Sequence, residues 1–205
     1  MKICSVPDCV NKHHSKGYCQ KHYQQIKLYG EIKLITTHDP NEIILCENHA
    51  EIILRNKEYE EIGRALIDLE DVERCKQYKW YLNPRYVDSK KSGHLSRFLL
   101  NVTDPKILVD HKYHNTLDNR KENLRTCTCV ENNRNQKVRK TGTSKYKGVY
   151  WNKNNKKWQS SIKFNYVNYY LGVFTNEDEA ALAYNNKAKE LFGEFACLNS
   201  IQSLF

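Results

Sequence analysis

The sequence predicts an α+β protein of several modules, and three observations carry that prediction. The chain has 205 residues, more than the roughly 100–150 typical of one domain. Its hydrophobic content is 40%, enough for modest cores but not for one large one. Charge is also divided along the chain: from Asn132 to Asn176 there are ten Lys or Arg and no acid, whereas from Glu42 to Glu73 ten acids face three bases, Arg55, Lys57 and Arg64. The expected modules are a metal knuckle over 1–35, a β-rich domain over 41–104, a strand–strand–helix core over 105–138, a basic linker over 139–144 and a sheet-plus-helix module over 145–205.

The formal net charge of +9 favours a polyanionic partner. Met1-Lys2-Ile3-Cys4 leads into polar residues, and no apolar run approaches the roughly 18 residues of a membrane span. A soluble, intracellular protein without a membrane or small-molecule partner is expected, with its thiols reduced. The eight cysteines therefore need a reason other than disulfides. Cys4-x4-Cys9-x9-Cys19-x2-His22 supplies one, since two ligand pairs joined by a short loop suit one tetrahedral zinc. Gly17 would allow the tight turn before the second pair. His13 and His14 compete as ligands but fall inside the loop. A segment of about 30 residues buries no core of its own, so the metal would supply folding energy. Cys46-x2-His49 mimics half of such a site. It sits in an apolar run with no matching half and reads as structural.

Ile43–Leu45, Ile52–Leu54, Ala65–Ile67, Trp80–Leu82 and Phe98–Leu100 are apolar bursts between polar turns and predict short strands. Nothing catalytic stands out among them. Ile107-Leu108-Val109-Asp110-His111 then reads as a strand ending in an acid and a histidine. A polar loop, Lys112 to Arg120, leads to Asn123-Leu124-Arg125-Thr126, and Thr128-Cys129-Val130-Glu131 has the spacing of a capping box that starts a helix. Strand, loop, strand and helix would gather Asp110, His111, Asn123 and Asn132.

Hydrolysis of a phosphodiester needs a base for water and a cation for the developing charge. His111, with an ordinary pKa near 6.5, can be the base. Asp110 and Asn132 are oxygen ligands of the kind magnesium or manganese prefers, and Asn123 can orient the imidazole. Asn133 and Asn135 rival Asn132 as ligand; His114 rivals His111 as base.

Val109-Asp110-His111, Leu117-Asp118-Asn119-Arg120, Asn123-Leu124-Arg125 and Asn132 together resemble the HNH endonucleases, in particular the phage and intron homing type with a ββα-metal fold. The resemblance covers about 100–138. It implies His111 as general base, Asn123 as its positioning partner, Asp110 and Asn132 as metal ligands, double-stranded DNA as substrate, and a phage-infected or bacterial host cell as the setting. One Asp-His pair per chain, and no heptad seam to announce a dimer, predict a monomer that nicks one strand.

Beyond the linker, which holds Arg139 and Lys140, three alternating runs begin at Tyr146, Lys157 and Tyr169. Asn176 and Glu179 then cap a helix whose Ala181, Tyr184, Ala188 and Leu191 share a face and which Gly193 stops. Tyr146-x-Gly148-Val149, Leu171-Gly172-x-Phe174 and the Glu177-Asp178-Glu179-Ala180-Ala181 run resemble the apetala-two (ethylene-response-factor) DNA-binding domain. That resemblance implies DNA contacts from Lys147, Tyr150, Asn152, Lys163, Asn168 and Tyr170, with Arg134, Arg139 and Lys140 adding positive charge. A DNA-binding regulator that keeps the nuclease fold as a scaffold is the alternative function, and an RNA-binding protein a third.

Overall fold

The structure is a computed structural model that describes residues 2–7, 9–32, 40–138 and 142–201. Arg139 and Lys140 lie outside the described residues. The chain opens with two isolated antiparallel bridges, Ile3 with Lys12 and Ser15 with Tyr18, followed by α1 (Gln20–Tyr29). Gly17 takes φ +87° at the second turn, a conformation that costs a residue without Cβ little. Its N–H donates to His13 Nε2 at 3.0 Å. Helix α1 ends at Gly30, whose N–H returns to the Ile26 carbonyl.

Three antiparallel strands follow, β1 (Ile43–Leu45), β2 (Ala50–Arg55) and β3 (Glu61–Ile67), in the order β1-β2-β3. A 3-10 turn and the short α2 (Val72–Cys75) lead to a second sheet of β4 (Tyr81–Asn83), β5 (Tyr86–Ser89) and β6 (Gly93–His94). Trp80 is buried between the two sheets' elements, with Nε1 donating to the Cys75 carbonyl at 2.9 Å. The last of the expected strands does not form. Phe98–Leu100 instead ends α3 (Leu95–Leu99), because Leu95, Phe98 and Leu99 all pack into one core, and positions i, i+3 and i+4 share a face in a helix but not in a strand.

Strands β7 (Leu108–His111) and β8 (Leu124–Cys127) pair antiparallel, Asp110 opposite Arg125 and His111 opposite Leu124. Helix α4 (Cys129–Asn135) starts at the expected capping box: Thr128 accepts from the Glu131 N–H, and Glu131 accepts from the Thr128 N–H. Leu124 lies in the same hydrophobic core as Ile52, Leu54, Ile67, Trp80 and Leu99, with Val109 and Leu117 packed against it. Residues 41–104 and 105–138 thus share one core. Burying a large apolar side chain stabilises by roughly 1.5–3 kcal/mol, so Leu124 alone couples β8 firmly to the strands before it. The β7–β8 loop is stitched to the edge of β3 as well: Leu66 N–H donates to the Leu117 carbonyl at 2.8 Å, and Asn119 N–H to the Leu66 carbonyl at 2.9 Å.

The C-terminal sheet has β9 (Val149–Asn152), β10 (Lys157–Phe164) and β11 (Val167–Phe174), with β10 central, and α5 (Glu177–Phe192) covers it. Asn176 caps α5 by accepting from the Asp178 N–H. Gly148 shows why the Tyr-x-Gly-Val segment needs glycine: its φ is +75°, and a Cβ there would lie 2.0 Å from Tyr184 Cδ2. Among the described residues no helix is long and apolar enough to cross a membrane.

Candidate active site

The end of β7 delivers two buried polar side chains side by side, Asp110 and His111, at 7% and 5% exposure. Neighbouring strand residues point to opposite faces, so the two are held by different neighbours. Asp110 faces α4 and Arg125: Asn135 Nδ2 donates to its Oδ1 and Oδ2 at 3.0 and 2.9 Å, and Arg125 donates to Oδ2 from Nε and Nη2 at 2.9 and 2.7 Å. Oδ1 is the less committed oxygen. His111 faces the β7–β8 loop, where its Nε2 lies 3.3 Å from Asn119 Oδ1. The Tyr86 ring of β5 leans beside it, centroids 6.0 Å apart.

The protonation of the imidazole follows from its neighbour. Asn119 Nδ2 donates to the Thr116 carbonyl at 3.2 Å, so its Oδ1 is the atom turned to His111, and an amide oxygen only accepts. Nε2 must then carry the proton, which leaves the lone pair on Nδ1. Burial pushes the His111 pKa below the ordinary histidine value, against the opposing pull of the Asn119 hydrogen bond and of the Asp110 and Asp118 carboxylates. The ring is thus neutral at neutral pH, as a general base must be.

Two expected neighbours stand elsewhere. Asn123, fully buried, spends its side-chain hydrogen bonds elsewhere than on the imidazole. Its Oδ1 accepts from Tyr113 N–H at 2.9 Å, and its Nδ2 donates to the Asn115 and Asp118 carbonyls at 3.1 and 2.7 Å. It braces the loop that carries Asn119. Asn132 is half-buried, one turn before Asn135 on α4, and it is Asn135 that meets Asp110. Asn133 is exposed, with Nδ2 near Cys129 Sγ. His114 takes φ +63° and sets Nε2 3.7 Å from Cys197 Sγ, away from Asn119. Sequence reasoning gave Asn119, Arg125 and Tyr86 no role. The first two sit inside the quoted motif, where they could have been considered; Tyr86 carries no local signal at all.

At the N-terminus, Cys4, Cys9, Cys19 and His22 bring their ligand atoms within 4.8 Å of one another. Cys4 Sγ is 3.1 Å and Cys19 Sγ 3.5 Å from His22 Nδ1, and Cys9 Sγ is 3.9 Å from Cys19 Sγ. With zinc–sulfur bonds of ~2.3 Å, the edges of a tetrahedral site are about 3.8 Å, so the cluster could hold a structural metal such as zinc. Burial raises the Cys4 thiol, but the His22 and backbone hydrogen bonds outweigh it and bring its pKa down to about 6, favouring the thiolate that binds metal.

On the C-terminal sheet, cross-strand pairing places Lys163 opposite Asn168, Ser161 opposite Tyr170 and Gln159 opposite Tyr150. Lys163, Asn168, Tyr150 and Tyr170 are exposed, and Asn152, two positions after Tyr150, hydrogen-bonds Gln159 at 2.8 Å. These five share the face away from α5. Lys147 does not join them. Its Nζ donates to the Arg134 and Gln136 carbonyls at 2.6 Å each, and the Arg134 guanidinium lies over the Phe164 and Phe192 rings. Both cations tie α4 to the C-terminal module.

No family model matches the chain, and no solved structure matches it. It is similar to an uncharacterized HNH endonuclease of Acanthamoeba polyphaga mimivirus, with 34% identity over 145 residues that make up 67% of this chain and 75% of that protein. That likeness, taken with a strand–loop–strand–helix unit presenting a buried Asp-His pair, shows that the chain belongs to the HNH endonucleases.

Proposed function

We propose that the protein is a divalent-cation-dependent DNA endonuclease that hydrolyses one phosphodiester per encounter, with His111 as general base. The observation that carries this reading is the contact of His111 Nε2 with Asn119 Oδ1, an atom that only accepts, which implies a proton on Nε2 and a lone pair on Nδ1. A water near Nδ1 gives its proton to that nitrogen. Its oxygen then attacks phosphorus, the phosphorus–oxygen bond to the leaving group breaks, and the departing oxygen takes a proton from solvent. Tyr86, exposed and against His111, is placed to contact the substrate backbone.

The donor set fits a hard cation. Asp110 supplies Oδ1, and a half-turn of the Asn135 amide brings its carbonyl oxygen to the position its nitrogen now holds. Magnesium or manganese held there would stabilise the charge developing on the phosphate and on the leaving oxygen. Asn135 thereby takes the role expected of Asn132, and Asn119 the orienting role expected of Asn123. The N-terminal cluster holds zinc in a purely structural way, because four protein ligands leave no position for water. The outer face of the C-terminal sheet, similar to an apetala-two domain in its strand and helix order, lies against DNA through Tyr150, Asn152, Lys163, Asn168 and Tyr170. Phosphate contact is the safer part of that assignment, since lysine lacks the fork of arginine for guanine.

The test uses a pool of supercoiled plasmids carrying randomised inserts, incubated with the protein and magnesium. Open circles should accumulate before linear DNA, and a chelator should abolish them. Linear product without an open-circle phase would mean two coordinated sites. DNA bound but never cut, with magnesium or manganese, would make the fold a scaffold and end the catalytic reading.

A further inference from the structure

The β1–β2 hairpin, far in sequence from both clusters above, brings a third set of ligand-type side chains together. We propose that Cys46, His49 and Glu51 form a second transition-metal site, one that takes a divalent cation such as zinc and keeps a coordination position open. The ligand atoms of the three residues all lie within 4.8 Å of one another.

Strand geometry explains the juxtaposition. Leu45 pairs with Ala50 and Ile44 with Glu51, and the Cys46 N–H closes the turn on the His49 carbonyl at 2.9 Å. Cys46 and His49 therefore face each other across the hairpin mouth. Ala50 is fully buried, so by the two-residue alternation of a strand His49 and Glu51 must both point outward, on one face. His49 Nε2 is 3.6 Å from Glu51 Oε1, close to the roughly 3.4 Å edge expected when nitrogen and oxygen both bind one zinc at about 2.0–2.1 Å.

The Glu51 carboxylate is held ready for this. Its Oε2 accepts from Arg64 Nη1 at 2.8 Å, and Arg64 is itself fixed by Glu61 at 2.6 Å. Oε1 is the oxygen turned to His49. A carboxylate oriented through one oxygen by a neighbouring cation, with the other aimed at the site, is the outer-partner arrangement seen around metal ligands. Arg64 hydrogen bonding, foremost, keeps the Glu51 pKa below the usual carboxylate range. Thiolate, imidazole and a single carboxylate oxygen form a borderline donor set that suits zinc or cobalt and not magnesium or calcium. The apolar run around Cys46-x2-His49, which makes the pair read as structural, hides the third ligand, because Glu51 comes from the next outward strand position and not from a second knuckle. With three protein ligands, this site differs in kind from the four-ligand N-terminal cluster: water or an external donor completes it.

The experiment uses the full chain, stripped of metal under reducing conditions and titrated with cobalt, following the thiolate-to-cobalt absorption. That band reports only sulfur-bound metal, so cobalt at Asp110 does not register in it. Wild-type protein should bind two sulfur-ligated cobalt ions per chain. Cys46→Ser and His49→Ala should each remove or weaken at least tenfold the second, while Cys19→Ser should disturb the first and leave the hairpin site intact. Zinc should also slow alkylation of Cys46 in the Cys19→Ser background. One sulfur-ligated cobalt per chain at saturation, or two that survive both hairpin substitutions, would overturn the assignment and leave Cys46 beside a plain His49–Glu51 contact.

Discussion

Replacing Asn123 with alanine separates bracing from catalysis more cleanly than any other change at the site. The side chain is 0% exposed and makes three hydrogen bonds, to Tyr113 N–H and to the Asn115 and Asp118 carbonyls. Each intramolecular bond of this kind contributes about 0.5–1.5 kcal/mol net, so their joint loss costs about 3 kcal/mol. In a chain of this size that corresponds to a fall in Tm of about 6–12 °C for the unit that contains Trp80. Activity should fall too, because the loop that carries Asn119 loses its brace. The assay pairs calorimetric unfolding with single-turnover cleavage on the same preparation. Asn123→Asp should fare no better, since a carboxylate would face two carbonyl oxygens. Asn119→Ala, which loses two longer bonds, should cost less stability and more cleavage. The reasoning fails if Asn123→Ala keeps the wild-type Tm while cleavage drops a hundredfold, for then Asn123 would act on the chemistry directly.

His111→Ala should lower cleavage by roughly 10²–10⁴, the usual contribution of a general base, with DNA affinity unchanged. In the wild type, burial depresses this pKa, so the deprotonated base persists to lower pH and the acid limb of kcat/KM should fall below the ~6.5 of free imidazole; a limb above that value would assign it to another group. Cys19→Ser should remove the N-terminal metal and the helicity of α1, read by elemental analysis and circular dichroism, and unchanged metal content there would refute the zinc knuckle. Deleting 145–205 should weaken DNA binding and flatten its salt dependence, since fewer lysines release counterions, whereas an unchanged salt slope would give that module another job.

What the sequence disclosed, and what it hid, divides by the range of the interactions. The Thr128–Glu131 capping box, the Asn176 cap and the Gly17 turn are set by contacts within a few residues or by one backbone angle, and they are readable from spacing. Phe98–Leu100 alone is ambiguous, because three apolar residues fit either period; the helical spacing appears only when Leu95, three and four positions before Phe98 and Leu99, is added. The asparagine proposed as a cation ligand depends on where α4 begins: with Thr128 as cap, the buried face falls on Asn135, and Asn132 stands to its side. The resemblance implies DNA contact from Lys147, and the charge of Arg134 suggests the same, while the carbonyls and rings that engage them are brought in by tertiary packing. Asn119 and Asn123 are the same residue type four positions apart, and only the folded path of the chain tells the imidazole's partner from the loop's brace.

Arg125 shows how far such packing reaches into the site. It is paired across the strands with Asp110 and donates twice to that carboxylate, with its own side chain 9% exposed. Its third contact leaves the nuclease unit: Nη1 donates to the Glu194 carbonyl at 2.6 Å, and the guanidinium lies 4.0 Å over the Phe195 ring. Glu194 and Phe195 belong to the 3-10 turn that follows α5, so the residue that orients the proposed cation ligand is anchored by the module that is proposed to lie on DNA. Lys147 and Arg134 fasten the same two parts through α4. A guanidinium with a buried carboxylate on one edge and a carbonyl on the other has little freedom to turn. Any shift of the C-terminal module must therefore either carry Arg125 with it, and so move Asp110, or break a desolvated ion pair whose loss is costly.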